Sequence, residues 1–148
     1  MPVSVRLASR RIGLEPIEGD SIGAHLRRRR QELGCNRAEA SELLGIDPKT
    51  LMWWERDERP PIVSAFPAII QFLGFEPWRA PRRLAEALLA ERRRQGLEVR
   101  KAASGIGVDE GTWRRWESGE WKPTRRSLPA LDRLLGLSVA SVFQADVR

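Results

Sequence analysis

The stretch TLMWWERDERPP, residues 50–61, returns in altered form as TWRRWESGEWKP at residues 112–123. Adjacent residues on a helix point in different directions, so Trp53 and Trp54 cannot share one buried face. The second copy keeps tryptophan and glutamate at the end of the helix but has arginine in place of Trp53. We therefore expect the position of Trp54 to be structural and that of Trp53 to be open to change.

A shift of 62 positions aligns residues 22–74 with 84–136 without a gap, and fifteen of the aligned pairs are identical. Chance would give only a few identical pairs, so the chain contains a duplicated module. Three segments lie outside the modules: an extended or flexible arm at 1–21, a proline-containing linker at 75–83 and a tail at 137–148.

Each module has the pattern of four short helices, which predicts an all-α fold. Glycines end the first and second helices, and Asp47 or Asp109 is expected to cap the start of the third. On that third helix Leu51 and Trp54 form the inward face, and Pro61 ends the element.

The tail predicts a short fifth helix in the second module, with Val139, Val142 and Phe143 together on one side. Such a helix either docks a partner or a second copy of the chain, or caps the second module. The sequence leaves both interpretations open.

The chain is basic, with 26 Lys and Arg against 20 Asp and Glu, a net charge of +6 and a sequence pI near 10.8. This balance suits a polyanionic partner such as nucleic acid, although arginine-rich surfaces also follow from genome composition. The arginine runs at 27–30 and 92–94 face several directions on a helix, so we expect most of them to be solvated surface.

Other function classes lack the residues they need. Cys35, the single cysteine, excludes an intrachain disulfide and is interpreted as a small buried hydrophobe. His25, the single histidine, is interpreted as a packing or surface residue of the first helix, and no zinc ligand set is available. No nucleophile with a base, carboxylate pair or metal cluster has productive spacing, so we expect neither an enzyme nor a cofactor. No signal-peptide core and no run of about 18 apolar residues occurs, which predicts a soluble, cytoplasmic protein without a membrane partner.

Two helices joined by a tight turn read AEASELLGIDPKTLMWWE at 38–55 and RKAASGIGVDEGTWRRWE at 100–117. Both resemble the helix-turn-helix of the Xre or lambda-repressor-like family. The resemblance implies two tandem four-helix modules, each placing the outward N-terminal face of its third helix in the major groove of DNA. The family pattern is broken at Asp57, where members usually have glycine, and at Arg37 and Val99, where glutamine often helps to hold a phosphate.

By this resemblance, DNA contacts come from the third helix, the first turn of the second helix and the region after the third helix. The residues concerned are Arg37, Lys49 and Trp53 in the first module, and Arg100, Lys101, Glu110, Gly111, Thr112, Arg114, Arg115, Lys122, Arg125 and Arg126 in the second. Within that set, Arg115 could pair with guanine and Glu110 could accept from a cytosine amino group.

The two modules differ in charge. Residues 84–136 carry 11 basic and 8 acidic groups, whereas residues 22–74 carry 8 and 7. We therefore expect the second module to be the stronger DNA binder. The first would bind weakly, read part of the site through Lys49 and Trp53, or contact a protein.

The resemblance also implies structural ion pairs of Arg30 with Glu55 and of Arg92 with Glu117, because a first-helix arginine of the family pairs with the third-helix glutamate. These glutamates are then not catalytic acids. Removing one partner of such a pair is expected to cost about 3–5 kcal/mol.

The leading hypothesis is a sequence-specific bacterial or phage transcription regulator that occupies an operator on double-stranded DNA at the nucleoid, without a small-molecule effector. Directly repeated half-sites fit the tandem modules, whereas a palindromic operator would require a homodimer. The alternative is a protein-interaction module, such as an antitoxin or adaptor, with the Trp53 face as the contact.

Overall fold

The computed structural model describes residues 15–148, which form helices and turns without any strand in that range. The chain divides into two compact units between Arg79 and Ala80. The first unit contains α1 (Ile22–Glu32), α2 (Arg37–Leu44), α3 (Pro48–Glu55) and α4 (Phe66–Leu73). The second unit contains α5 (Leu84–Gln95), α6 (Val99–Gly105), α7 (Glu110–Glu117), α8 (Leu128–Leu135) and α9 (Val139–Val142). Within the described range, the expectation of two tandem all-α modules is confirmed.

The third helix of each unit starts at an aspartate. The Asp47 carboxylate accepts the backbone N–H of Thr50 at 2.9 Å, and that of Asp109 accepts the N–H of Thr112 at 2.7 Å. These hydrogen bonds supply partners for amides that the helix leaves free, and they hold the pKa of both carboxyl groups below the usual value. The start of the third helix is therefore fixed by residues within the helix itself.

Each unit has its own apolar core. The third helix contributes Leu51 and Trp54 to the first core, and Trp113 and Trp116 to the second, all at most 5% exposed. Cys35 is buried in the first core. The spacing of three residues along the helix thus gives each third helix one buried face and leaves the other toward solvent.

The tail packs on the second unit. Val139 and Phe143 belong to its core, whereas Val142 is 56% exposed, so the expectation that the three side chains share one face is wrong. Helix α9 has only four residues and ends at Phe143, where the backbone leaves helical geometry. Val139 and Phe143 are therefore part of the core of the second unit and do not form a surface for a partner.

Asp146 caps the first helix of the second unit from the far end of that unit. Its carboxylate accepts the backbone N–H of Leu84 at 3.0 Å and the Nε–H of Arg83 at 2.9 and 3.0 Å. Residue Arg83, at the N-cap position of α5, makes no side-chain cap of its own. The Arg83 guanidinium holds the pKa of Asp146 below its usual value.

Changing Asp146 to Ala should therefore lower the free energy of unfolding of the second unit by about 1 kcal/mol, the usual cost of removing a helix cap. Because the folded-state pKa is depressed, the wild-type contribution is present at neutral pH and is lost as pH falls below about 4. Urea unfolding at pH 7 and pH 3 measures both effects, with exposed Glu120→Gln as the control. An equal difference between wild type and Asp146→Ala at the two pH values would contradict this assignment.

Helix α1 passes unusually close to the end of α3 at Gly23. A Cβ atom on Gly23 would lie 1.9 Å from the carbonyl oxygen of Trp54. Asp57 lies beside the same contact, adopts a left-handed conformation with φ 57° and accepts the Ser21 hydroxyl at 3.0 Å. Residue 57, where members of the family usually have glycine, therefore adopts a left-handed conformation here as well. Aspartate tolerates this conformation because its short side chain can form local hydrogen bonds.

Replacing Gly23 by Ala should destabilise the first unit by about 3 kcal/mol, since the clash is with backbone that cannot move aside cheaply. The matched control is Ala85→Gly, the aligned position of the second unit. Ala85 lines an open cleft of about 340 Å³, so this control should cost about 1 kcal/mol at most, through helix propensity alone. Urea unfolding of both variants checks the difference, and a neutral Gly23→Ala would refute the close contact.

The described part of the N-terminal arm is tied to α1. His25 is buried, and its Nε2 accepts the Ile17 backbone N–H at 3.0 Å while its Nδ1 lies 2.7 Å from the Ser21 carbonyl oxygen. A turn closes from the Asp20 N–H to the Ile17 carbonyl oxygen. Residues 15–21 are thus folded back rather than extended, and residues 1–14 of the expected arm lie outside the described residues.

Both ends of the expected linker, 75–83, belong to packed units. Phe75 meets the His25 ring at 5.7 Å between centroids, and Trp78 meets Phe66 at 5.9 Å. Arg83 is bound to Asp146, as described above. The segment between the packed parts of the two modules is therefore shorter than the expected linker, 75–83.

Candidate nucleic-acid interface

The outward face of α7 carries the charged residues that the sequence assigns to DNA. Arg114 is exposed, and its guanidinium lies 3.6 Å from the Glu110 carboxylate one helical turn earlier. Arg115 and Gly111 lie on the same side of the helix, opposite the buried Trp113 and Trp116 of the inward face. A surface pair such as Arg114 with Glu110 is worth little to stability, so both groups can exchange partners.

Thr112 belongs to the helix start. Its hydroxyl donates to the Asp109 carboxylate at 3.1 Å, in addition to the backbone bond that caps α7. In the first unit Thr50 makes the same contact with Asp47 at 3.1 Å. The resemblance implies a DNA contact for this threonine, and the structure gives it a contact with the capping aspartate as well.

Arg115 is stacked on an indole ring. Its guanidinium carbon lies 4.4 Å from the ring centroid of Trp121, which is 46% exposed. In the first unit the ring of Trp53 is covered by Arg59 at 3.7 Å and approached by Lys49 at 5.2 Å. Trp53 is thus half-buried under two cations instead of projecting freely.

Five basic residues of the second unit lie at the start of α6 and in the segment between α7 and α8, and all five are exposed. They are Arg100, Lys101, Lys122, Arg125 and Arg126. The aligned positions of the first unit carry no positive charge and hold Ala38, Glu39, Pro60, Val63 and Ser64. At these five aligned positions, therefore, only the second unit carries positive charge.

The third-helix glutamate of each unit is held by a first-helix arginine. Arg30 donates to Glu55 through Nε at 2.7 Å and Nη2 at 3.0 Å, and Glu55 is almost fully buried. Arg92 donates to Glu117 in the same two-pronged geometry, at 2.8 Å for both contacts. The Glu55 carboxylate raises the pKa of Arg30. This geometry fixes the angle at which the first helix crosses the third.

Each glutamate has a further donor, and this donor differs between the units. In the first unit Arg37 donates to Glu55 at 3.2 Å. In the second, position 99 is valine, and the indole N–H of Trp113 donates to Glu117 at 2.6 Å. The resemblance implies a phosphate contact for Arg37, but in the structure Arg37 lies against the buried carboxylate. The additional donor to the glutamate is thus an arginine of the second helix in the first unit and a tryptophan of the third helix in the second unit.

One arginine of the first run is buried. Arg29 is 4% exposed, and its Nε donates to the carbonyl oxygen of Phe72 at 3.1 Å. Burial lowers the pKa of Arg93 in the second run. The arginine runs are therefore less uniformly solvated than their sequence indicates.

The comparisons with known proteins agree with this geometry. A family profile described as a helix-turn-helix domain matches residues 21–84 and again residues 83–142. The chain belongs to the helix-turn-helix family. Neither curated proteins nor solved structures give a significant match. Helix-turn-helix domains are typically DNA-binding and non-enzymatic, with the helix after the turn as the reading element.

Two further findings describe what surrounds the helix-turn-helix elements. From residue 15 onward, no helix is long and apolar enough to cross a membrane. In the same part of the chain, His, Cys, Asp and Glu side chains form no group of three or more that could hold a metal ion.

Replacing Trp113 by Phe keeps the ring in the core but removes its N–H donor to Glu117. We expect a loss of about 1.5–3 kcal/mol in the free energy of unfolding, the usual worth of a hydrogen bond to a charged group. Val99 is a buried core residue, so Val99→Arg has a cost of its own, but it supplies the donor that the first unit uses. This cost should therefore be smaller in the Trp113→Phe background than in wild type. Urea unfolding of the two single variants and the double variant gives the coupling energy. Strictly additive effects would contradict the exchange of donors.

Proposed function

We propose that the protein is a sequence-specific transcription regulator of the Xre or lambda-repressor-like type, which acts by occupying an operator. Helix α7 enters the major groove of double-stranded DNA, where Arg115 pairs with guanine and Glu110 accepts from a cytosine amino group. One observation carries the proposal. The outer face of α7 is charged, and exposed basic residues lie in the elements that precede and follow it along the chain, at the start of α6 and before α8.

The flanking residues have the positions and charges of backbone contacts. Arg100 and Lys101 lie in the first turn of α6, and Arg125 and Arg126 lie in the 3-10 turn before α8. Cations at such places neutralise phosphates and set the register of the reading helix on the duplex. The protein would then be found in the cytoplasm at the nucleoid, and no small-molecule effector is part of the proposal.

The first unit would contribute less to DNA binding. Its Arg37 is occupied by Glu55, and the positions aligned with the five flanking cations of the second unit are uncharged or acidic. Lys49 remains exposed at the start of α3 and is available for a base or a phosphate. Tandem modules suit directly repeated half-sites, whereas a palindromic operator would bring two chains together as a homodimer.

A second candidate function is a protein contact by the first unit, as in an antitoxin or adaptor. Ile62 is 68% exposed in the segment before α4, where the second unit has Thr124. This residue supports the alternative better than Trp53 does, because Trp53 is covered by Arg59. The DNA experiment below separates the two candidates.

The proposal is tested by selecting bound sequences from random duplex DNA. Wild-type protein should enrich a defined motif, and Arg114→Ala combined with Arg115→Ala should erase at least one specified base pair, since a bidentate pair is worth about 1–3 kcal/mol of discrimination. The matched variant changes the aligned Met52 and Trp53 to Ala and should leave the motif largely intact. Absence of any motif for folded wild type would exclude the regulator, and an unchanged motif in the arginine variant would exclude α7 as the reader.

Phosphate contacts need a different control. Arg125→Ala should weaken binding to all duplexes alike and reduce the salt dependence by about 0.9 log units per decade of salt, without changing the motif. A change of motif in this variant would place Arg125 among the base readers instead.

A further inference from the structure

Two positions exchange residues between the modules. Position 53 is tryptophan and position 59 is arginine in the first module, whereas the aligned positions 115 and 121 are arginine and tryptophan. In both units the guanidinium lies over the indole ring, at 3.7 Å for Arg59 on Trp53 and 4.4 Å for Arg115 on Trp121. The stacked pair is thus present in both units with its members interchanged.

The backbone brings the two positions together in both units. The N–H of Trp121 donates to the carbonyl oxygen of Arg115 at 3.0 Å, and the N–H of Arg59 approaches the carbonyl oxygen of Trp53 at 3.4 Å. The loop after the third helix therefore returns to the same turn of that helix. An arginine and a tryptophan stack there whichever position holds which.

The helix beneath Arg115 leaves room for this arrangement. A Cβ atom on Gly111, one turn earlier, would lie 2.8 Å from an Nη atom of Arg115. The aligned residue of the first unit is Lys49, and the residue one turn after it is Trp53 instead of an arginine. Gly111 and Trp121 therefore border the Arg115 guanidinium on two sides.

We propose that Trp121 is a positioning residue that holds the Arg115 guanidinium in its base-reading direction before DNA arrives. An arginine that is already ordered loses less rotamer freedom on binding, so the contact gains discrimination. This inference rests on the proposed function of α7. In the first unit the interchange moves the cation from the helix to the loop, so Arg59 faces the DNA backbone and carries no base preference.

The stack itself can be measured without DNA. The ring current of Trp121 should shift the Nε–H resonance of Arg115 in an NMR spectrum of the full chain, and Trp121→Leu should return that resonance to the usual arginine region. An unshifted Arg115 signal in the wild type would overturn the proposal directly. Because Trp121 is 46% exposed, the variant should fold with an unchanged thermal midpoint.

The DNA measurement compares affinities for the selected motif and for duplexes with its guanine replaced. Trp121→Leu should reduce the preference for that guanine about 2- to 5-fold, the scale of an exposed cation–π contact. Trp121→Phe should restore most of it, because the ring is kept, and Gly111→Ala should lower it by displacing the guanidinium. Affinity for unrelated duplexes should change little in Trp121→Leu and in Trp121→Phe.

The outcomes separate the inference from the function on which it rests. If Arg115→Ala abolishes the guanine preference but Trp121→Leu leaves it intact, α7 is the reader and the positioning role fails. If Trp121→Leu weakens binding to every duplex equally, Trp121 touches the DNA backbone itself and the inference is wrong. If wild type enriches no motif, both the function and the inference fall. Arg59→Ala, the mirror variant, should lower affinity without changing base preference.

Discussion

The arrangement of each module depends on one carboxylate at the end of its third helix, which is buried in the first module and largely buried in the second. Glu55 and Glu117 each accept two hydrogen bonds from a first-helix arginine, and the same arginines reach the carbonyl oxygens of residues 35 and 97. Three segments of the chain are thereby joined at one point. A buried charge is tolerated only with such complete pairing, so the angle between the first and third helices has little freedom. These hydrogen bonds therefore set the direction in which the outward face of the third helix points.

Both modules have these arginine–glutamate hydrogen bonds, but the residues around them differ. The additional donor is Arg37 in one module and Trp113 in the other, and each solves the same problem of saturating a carboxylate. The solutions are not equivalent for function. The side chain of Arg37 is 38% exposed, but its charge is paired with Glu55, whereas Trp113 supplies its N–H from within the core. The second module therefore satisfies its glutamate without a second arginine.

Local patterns of the sequence predicted the elements well, because caps and glycine ends act within a few residues. Asp47 and Asp109 start their helices as expected, and the inward tryptophans follow from helical spacing alone. Contacts set by the angle between elements were not predictable in this way. The burial of Arg29 and the close approach at Gly23 depend on where α4 and α3 lie relative to α1, which no spacing along the chain reveals. The stacking partner of Arg115 could have been predicted from the sequence, because tryptophan and arginine are interchanged at two aligned positions.

The cap that Asp146 places on α5 has a consequence for how the protein is made. Residues 83 and 146 meet at one site, so the cap on α5 forms only after nearly all residues of the second module have been synthesised. On a ribosome the first module, whose α1 is capped by the neighbouring Ser21, can close while the second is still being synthesised. The second unit therefore completes its fold later in synthesis than the first.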